Sequence, residues 1–303
     1  MTKQELLSRR DFFKLGGTAA LSLALPACNP AKPVATPTLV QIPPTVTEPP
    51  PQPQQVTIPG TELLKLSSSV VGQEYRIFVA LPNSTFLNSY AENPRLRYPV
   101  LYVLDANALF GMVTETVRIF NLLEVIDELI VVGIGYPVDT FNATLGFRSR
   151  DMTPKIGAVK FLQFIREELI PMIDATYRTS PGDNGILGHS YGGLFGLYAL
   201  FNQPDTFKRY IIGSPSISWD ESVILDADKF VATKANVTAR IFMSVGAAEE
   251  TSMIGDMQKV SDMLKEVQSE ELKLTTQIFE GEIHPSVVPA HISRGLWEVY
   301  GGG

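Results

Sequence analysis

The sequence predicts a doubly wound α/β fold, with a mostly parallel sheet and an antiparallel hairpin at its N-terminal edge. Continuous apolar runs, as at 100–104 and 129–134, are typical of strands buried on both faces of a parallel sheet. Helical stretches lie between such runs, and this alternation indicates helices on both faces. Two further strand patterns, 64–71 and 75–81, are separated by Gly72-Gln73, which favours a hairpin.

The same patterns place the remaining elements along the chain. Further strands are predicted at 184–187, 210–213, 240–245 and 272–279, and helices at 108–124, 154–175, 194–201, 252–269 and 286–299. Thr153 followed by Pro154 is a favourable N-cap and first-turn pair for the second of these helices. We therefore expect one domain of alternating strands and helices.

Composition excludes several functional classes. The 303 residues are 45% hydrophobic, enough for a sizeable core, and carry a formal charge of -7. An acidic chain repels phosphate backbones, so no nucleic-acid partner is expected. A single cysteine rules out an intrachain disulfide. The three histidines are widely separated in sequence, and neither a metal site nor a cofactor is predicted.

The N-terminal segment has the pattern of an export signal. Ser8-Arg9-Arg10-Asp11-Phe12-Phe13-Lys14 resembles the twin-arginine motif, and the apolar run after it is shorter than the roughly 20 residues that span a bilayer. Leu25-Pro26-Ala27-Cys28 resembles a lipobox, in which the cysteine is lipidated after cleavage. Residues 1–27 are thus predicted to be a signal peptide and Cys28 a lipidation site; an uncleaved anchor, or a plain signal cleaved elsewhere, is the alternative.

This interpretation predicts an extracytoplasmic lipoprotein, periplasmic or on the cell surface, held at the membrane by its N-terminal lipid. Residues 28–60 are rich in proline, which favours an extended polyproline II spacer without a core of its own. Residues 61–303 form the predicted globular domain.

One motif carries the expected chemistry. Gly188-His189-Ser190-Tyr191-Gly192 matches G-x-S-x-G between a predicted strand and a predicted helix, the setting of the nucleophile elbow in the α/β-hydrolase fold. Such a turn exposes the serine hydroxyl above the carboxyl end of the strand. Ser190 is the predicted nucleophile, and the backbone N–H of Tyr191 a predicted oxyanion donor.

A serine nucleophile needs a base and an orienting acid, which follow it along the chain in this fold. His284 comes after the last predicted strand, at the edge where the base must lie, whereas His291 falls inside a helix and is expected to be a surface or packing residue. After the strand at 240–245, Glu249 and Glu250 are the candidate acids, with Asp256 as an outside alternative.

A set of short segments resembles the enterochelin-esterase and esterase D-like branch of the α/β-hydrolases. The segments are Gly188-His189-Ser190-Tyr191-Gly192-Gly193, Ser214-Pro215-Ser216, Gly246-Ala247-Ala248-Glu249, Gly281-Glu282-Ile283-His284, Arg150-Asp151-Met152-Thr153-Pro154 and Leu104-Asp105-Ala106. The resemblance implies Ser190 as nucleophile, His284 as base and Glu249 as acid. It also implies the N–H of Asn107 as second oxyanion donor.

Three more side chains are candidates for substrate binding. Arg148 and Arg150 could hold an anionic substrate; the alternative is an ordinary ion pair, for example with Asp151 or Glu280. Trp219 stands in Ser218-Trp219, where the family often has a more aromatic pair, and this departure affects the expected acyl pocket.

The sequence therefore predicts a serine esterase that hydrolyses a small-molecule carboxylic ester through an acyl-enzyme. The resembling family includes siderophore trilactone esterases, feruloyl and acetyl esterases, formylglutathione hydrolases and mycolyltransferases, so a siderophore ester is one expected substrate. Two alternatives stay open at this point, an acyltransferase of the same fold and a non-catalytic ligand-binding lipoprotein.

Overall fold

A computed structural model of the chain describes residues 56–82, 89–92, 94–233, 237–267 and 269–301. The predicted signal peptide, Cys28 and most of the proline-rich segment lie outside the described residues. Within the described part of the chain, no helix has the length and apolar character needed to cross a bilayer.

The described residues form one sheet of eight strands in the order β1-β2-β4-β3-β5-β6-β7-β8. β1 pairs antiparallel with β2, β2 pairs antiparallel with β4, and the other neighbours are parallel. This confirms the predicted α/β-hydrolase fold with its N-terminal hairpin. The strands are β1 Thr61–Ser68, β2 Gln73–Ala80, β3 Tyr98–Val103, β4 Ile130–Gly135, β5 Thr179–His189, β6 Arg209–Gly213, β7 Ala239–Gly246 and β8 Leu272–Phe279.

Helices cover both faces of the sheet. They are α1 Ser89–Glu92, α2 Ala106–Leu122, α3 Phe141–Met152, α4 Ala158–Phe164, α5 Ile170–Thr176, α6 Tyr191–Asn202, α7 Ser222–Thr233, α8 Thr251–Lys265 and α9 Val288–Tyr300. A π-helical turn, Ile165–Leu169, joins α4 to α5. Helices α2 and α9 pack on one face of the sheet, and α4 to α8 pack on the other.

Three of the described helices were not predicted from the sequence patterns, and one predicted helix start is wrong. The residues of α3 that face the core include Thr144, Arg148 and Asp151, so the helix shows no apolar stripe. Thr153 ends α3 instead of starting the next helix, because its backbone is extended, as the following Pro154 favours, with φ -101° and ψ 129°. Its hydroxyl donates back to the carbonyl of Ser149 at 2.6 Å. The following helix therefore begins at Ala158 and not at Pro154. The other unpredicted helices are α1, which is a single turn, and α7.

The parallel strands bring distant segments to one edge. Strands β3, β5, β6, β7 and β8 all point the same way, so the residues that follow them meet above their carboxyl ends. The segments delivered to this edge begin at Leu104, Ser190, Ser214, Ala247 and Glu280. This edge of the sheet holds the candidate site.

Candidate active site

Ser190 occupies a strained turn between β5 and α6. Its φ of 62° and ψ of -117° lie in a region that non-glycine residues rarely adopt. Backbone hydrogen bonds hold it there: its N–H donates to the carbonyl of Gly213 at 2.9 Å, and its own carbonyl accepts from Leu194 at 3.0 Å and from Ser216 at 3.2 Å. The hydroxyl is thereby presented at the sheet edge at the start of a helix.

Two glycines make this turn sterically possible. A Cβ on Gly188 would lie 2.3 Å from the carbonyl oxygen of Gly192, inside the turn itself. A Cβ on Gly193 would lie 2.7 Å from the carbonyl oxygen of Gly213, on the neighbouring strand β6. Both obstacles are backbone atoms that cannot move aside, so the local conformation requires glycine at each position.

Glu249 and His284 form a hydrogen-bonded pair beside Ser190. The Nδ1 of His284 is 2.7 Å from Oε2 of Glu249. The Glu249 side chain is fully buried, whereas the His284 side chain is 37% exposed. The other carboxylate oxygen, Oε1, accepts from the hydroxyl of Ser214 at 2.6 Å and from the N–H of Gly246 at 2.7 Å.

These contacts keep Glu249 ionised. Burial acts to raise the pKa of its carboxyl, but the hydrogen bonds from His284, Ser214 and Gly246 together outweigh burial and hold the pKa below its ordinary value. With an ionised acceptor at Nδ1, the proton of neutral His284 resides on Nδ1. Nε2 is then left as the basic nitrogen.

The structure distinguishes between the candidate acids. Glu250 is the exposed N-cap residue of α8, and Asp256 lies further along that helix. Among the described carboxylates, Glu249 alone is hydrogen-bonded to His284. Adjacent side chains diverge at this turn, which is why only one of the two glutamates reaches the imidazole.

All three histidines lie together, although they are far apart in sequence. The ring of His189 is 4.5 Å from that of His284 and 6.3 Å from that of His291, centroid to centroid. Burial, together with the two neighbouring histidines, lowers the pKa of His189 to about 3, and burial lowers that of His291 to about 3. His291 was expected at the surface or in packing; it is fully buried, with Nδ1 2.9 Å from the Ser244 hydroxyl.

Two cavities open on either side of Ser190, and both are also lined by His284 and Pro285. The first, of about 430 Å³, is further lined by Ser216, Ser218, Trp219, Ala248, Glu249, Glu250, Met253 and Ile283. The second, of about 440 Å³, is further lined by Asp105, Ala108, Leu109, Met112, Phe141, Arg148, His189, Val288 and Pro289. We call them the serine-rich cavity and the apolar cavity. The Ser190 hydroxyl is thus accessible from two cavities.

The Ser190 hydroxyl itself is hydrogen-bonded to Ser216, with the two oxygens 3.1 Å apart. No hydrogen bond joins it to His284 among the described residues. Such catalytic contacts are often loose without substrate. To give its proton to His284, the Ser190 hydroxyl must exchange its hydrogen bond to Ser216 for one to the imidazole.

The two predicted arginines are placed differently. Arg148 lines the apolar cavity, but its Nε and Nη2 both contact Asp105, at 2.5 and 2.8 Å, and both side chains are buried. Arg150 lines neither cavity. It pairs with Asp151 at 2.6 and 2.8 Å and donates to Gln73, so the structure gives it the ordinary ion pair instead of a place beside Ser190.

The predicted oxyanion donors stand at two helix N-termini. Tyr191 is the first residue of α6, where backbone N–H groups have no intrahelical partner. Asn107 is the second residue of α2, and its side chain binds the loop after β4 through the backbone of Tyr136 and Val138. Asp105 and Ala108 line the apolar cavity, whereas Asn107 is not among its lining residues.

Trp219 is 70% exposed at the mouth of the serine-rich cavity, with its ring at right angles to that of Tyr191 and 5.4 Å away.

Sequence reasoning gave no role to three residues that organise the site. Ser214 supports Glu249, Ser216 contacts Ser190, and Asp105 neutralises Arg148. Each lies within three residues of the carboxyl end of a parallel strand, in a segment that carried the family resemblance. Position near a strand end was therefore the signal that could have identified them.

Known esterases share this sequence pattern. A family model described as "Putative esterase" matches residues 68–298. The chain belongs to this esterase family. It is a serine hydrolase acting on carboxylic esters, as predicted.

Relatives support the same assignment. The ferri-bacillibactin esterase BesA of Bacillus subtilis is 34% identical over 267 residues, covering 79% of this chain and 89% of BesA. A siderophore triacetylfusarinine C esterase of Aspergillus fumigatus is 31% identical over 281 residues, covering 81% and 94%. The crystal structure of the BES protein from Bacillus cereus superposes with a TM-score of 0.73 at 33% identity, covering 82% and 98%. Two of these relatives are named as esterases, which favours hydrolysis over acyl transfer or ligand binding alone.

Proposed function

We propose that this esterase cleaves the ester bonds of a siderophore outside the cytoplasm. The observation that carries the proposal is the placement of Ser190 between two cavities, next to the His284–Glu249 pair. Relatives named for siderophore esters support the substrate class, since the alignments with them span most of both chains. Two cavities of over 400 Å³ suit a substrate that is bulky on both sides of its ester.

The residues perform the reaction in two halves. Ser190 attacks the ester carbonyl carbon while Nε2 of His284 accepts the hydroxyl proton, and that proton then passes to the departing alkoxide. Water next attacks the acyl-enzyme, giving its proton to Nε2, and the carboxylic acid leaves as Ser190 recovers its hydrogen. Throughout, Glu249 holds the imidazole through Nδ1 and stabilises its positive charge.

Backbone amides supply the electrostatic stabilisation. The N–H of Tyr191, at the start of α6, and that of Asn107, in the first turn of α2, are the proposed donors to the oxyanion. Arg148 can donate hydrogen bonds to a substrate but adds no net charge, because the carboxylate of Asp105 neutralises its guanidinium. Trp219 offers an exposed ring against which a substrate group can pack.

The decisive experiment replaces the nucleophile. Ser190→Ala should lower turnover of a siderophore ester, followed by chromatography of the released acid, by roughly 10⁶, since the catalytic residues act as a unit. The variant should unfold at the same urea concentration as the parent protein. A variant that keeps a tenth of the parent turnover would exclude Ser190 as nucleophile.

We also propose that the enzyme is exported by the twin-arginine route and anchored through a lipid on Cys28. The paired arginines Arg9-Arg10 and the single cysteine of the chain, directly after an apolar run, support this. The proline-rich segment would then hold the domain away from the membrane.

Cys28→Ala should release the enzyme from membranes while leaving ester hydrolysis intact, because the modification precedes the catalytic domain in sequence. Fractionation of cells expressing both forms measures this. Membrane association that persists in a correctly exported variant would contradict the lipid anchor.

A further inference from the structure

The serine-rich cavity is unbalanced in charge. No lysine or arginine is among its lining residues, whereas Glu249 and Glu250 both line it. Glu249 is fully buried and engaged with His284. Glu250 is exposed, and it has no ion-pair partner among the residues that the structure describes. One carboxylate therefore stands at this cavity without a protein cation to balance it.

A tryptophan and a methionine line the same cavity as the Glu250 carboxylate. Trp219 lines the same cavity and is 70% exposed, unusual for so large an apolar ring. Its edge-on contact with Tyr191 limits the orientations open to the ring. Met253 is a further lining residue. An aromatic ring together with a carboxylate is the combination by which proteins recognise organic cations, through cation–π attraction and charge.

The apolar cavity adds no net positive charge to the site. Its one cation, Arg148, is held by two hydrogen bonds to the buried carboxylate of Asp105, so the pair is neutral as a unit. The whole chain carries a formal charge of -7, which adds a field that attracts cations and repels anions. No part of the described site offers an anionic substrate an uncompensated positive charge.

We infer that this esterase selects esters that carry an ammonium or similar organic cation on the group seated in the serine-rich cavity. Glu250 and Trp219 are the specificity-determining residues. The inference rests on the proposed hydrolysis at Ser190 and narrows its substrate class: among siderophore esters, those that bear a free amine are preferred over those that bear extra carboxylates.

Matched esters test the inference. On the alcohol side, a choline ester is compared with the 3,3-dimethylbutyl ester of the same acid, which has the same shape without the charge. On the acyl side, a 4-(trimethylammonio)butanoyl ester is compared with the 5,5-dimethylhexanoyl ester of the same alcohol. In one of the two pairs, kcat/KM for the cationic ester should exceed that of its neutral partner by about 5- to 20-fold at low salt, the range expected for cation–π and partly exposed ion contacts.

Substitutions assign the preference to its residues. Glu250→Gln should reduce the cationic-to-neutral ratio of kcat/KM to about 2 or less, and Glu250→Lys should bring it below 1. Trp219→Leu should lower the ratio about threefold. Glu266→Gln, at the other end of α8, is the matched control and should keep the parent ratio. Raising the ionic strength should shrink the ratio in the parent enzyme.

The outcomes distinguish the charge preference from hydrolysis itself. A ratio near 1 in both ester pairs, or a ratio that Glu250→Lys leaves unaltered, would overturn the charge preference while hydrolysis through Ser190 stands. If Ser190→Ala still hydrolyses these esters at rates near the parent enzyme's, the proposed function itself fails.

Discussion

At the scale of single residues, Glu249 shows how hydrogen bonds fix the protonation of an imidazole. Its two oxygens receive three hydrogen bonds, from His284, Ser214 and Gly246. Only one of the three bonds involves the imidazole, and the other two orient the carboxylate. A side chain of equal size that cannot accept a hydrogen bond from Nδ1 should therefore keep the packing and lose the activity.

Glu249→Gln makes that change. With Oε1 still accepting from Ser214 and Gly246, the amide NH₂ faces His284 and forces Nδ1 to accept. The proton then moves to Nε2, which can no longer take one from Ser190, and kcat should fall by about 10⁴. Steady-state hydrolysis of a neutral ester measures this, with Glu266→Gln as control. A loss smaller than tenfold would show that the enzyme works with Ser190 and His284 alone.

At the scale of elements, the junction of β5, α6 and β6 depends on close backbone approach. Gly193 in α6 lies against the carbonyl of Gly213 in β6, so the helix can sit directly beside the strand. Gly255 in α8 is exposed, and a Cβ added there would meet no neighbouring atom within 4 Å. Glycine is thus required for close packing in α6, whereas in α8 it only lowers the stability of the helix.

Alanine at these two positions should have opposite effects. Gly193→Ala should lower the free energy of unfolding by about 1–3 kcal/mol, because backbone atoms must shift, and should abolish hydrolysis. Gly255→Ala should raise it by about 0.5–1 kcal/mol, since alanine is the better helix former. Urea unfolding measures both. A stable, active Gly193→Ala enzyme would contradict the steric account of the elbow.

At the scale of the whole molecule, folding keeps His189 and His291 neutral under the active edge. Their pKa values of about 3 lie below the ordinary 6.5, so the unfolded chain binds protons that the folded protein excludes. Their contribution to stability is complete above pH 6.5 and is lost as the pH falls from there towards 3. The lowered pKa of Glu249 adds a loss only below its ordinary value of 4.5.

The free energy of unfolding should therefore fall between pH 6.5 and 5 by on the order of 1 kcal/mol per pH unit for each histidine. Urea titrations at several pH values give this slope. His189→Asn and His291→Asn should each reduce the slope by about half, whatever their effect on stability at pH 7. A slope that neither substitution alters would show that these histidines are not the acid-sensitive groups.

Local pattern along the chain was enough to predict several features of this protein. Apolar runs identified the buried strands, and the glycines around Ser190 identified the strand-turn-helix elbow, because each property resides in a few consecutive residues. The position of His284 followed from topology, since whatever succeeds a parallel strand must emerge at the same edge. Polar helices such as α3 were missed because their buried side chains carry no apolar stripe.

Which side chains meet depends instead on the packing of the folded chain. Nothing in Ala247-Ala248-Glu249-Glu250 shows which glutamate turns inward, and nothing near Arg148 reveals that Asp105 will neutralise it. The three histidines become neighbours only when β5, the loop after β8 and α9 pack together. Such pairings join residues far apart in sequence, and burial fixes their charge states, so their chemistry exists only once the chain has folded.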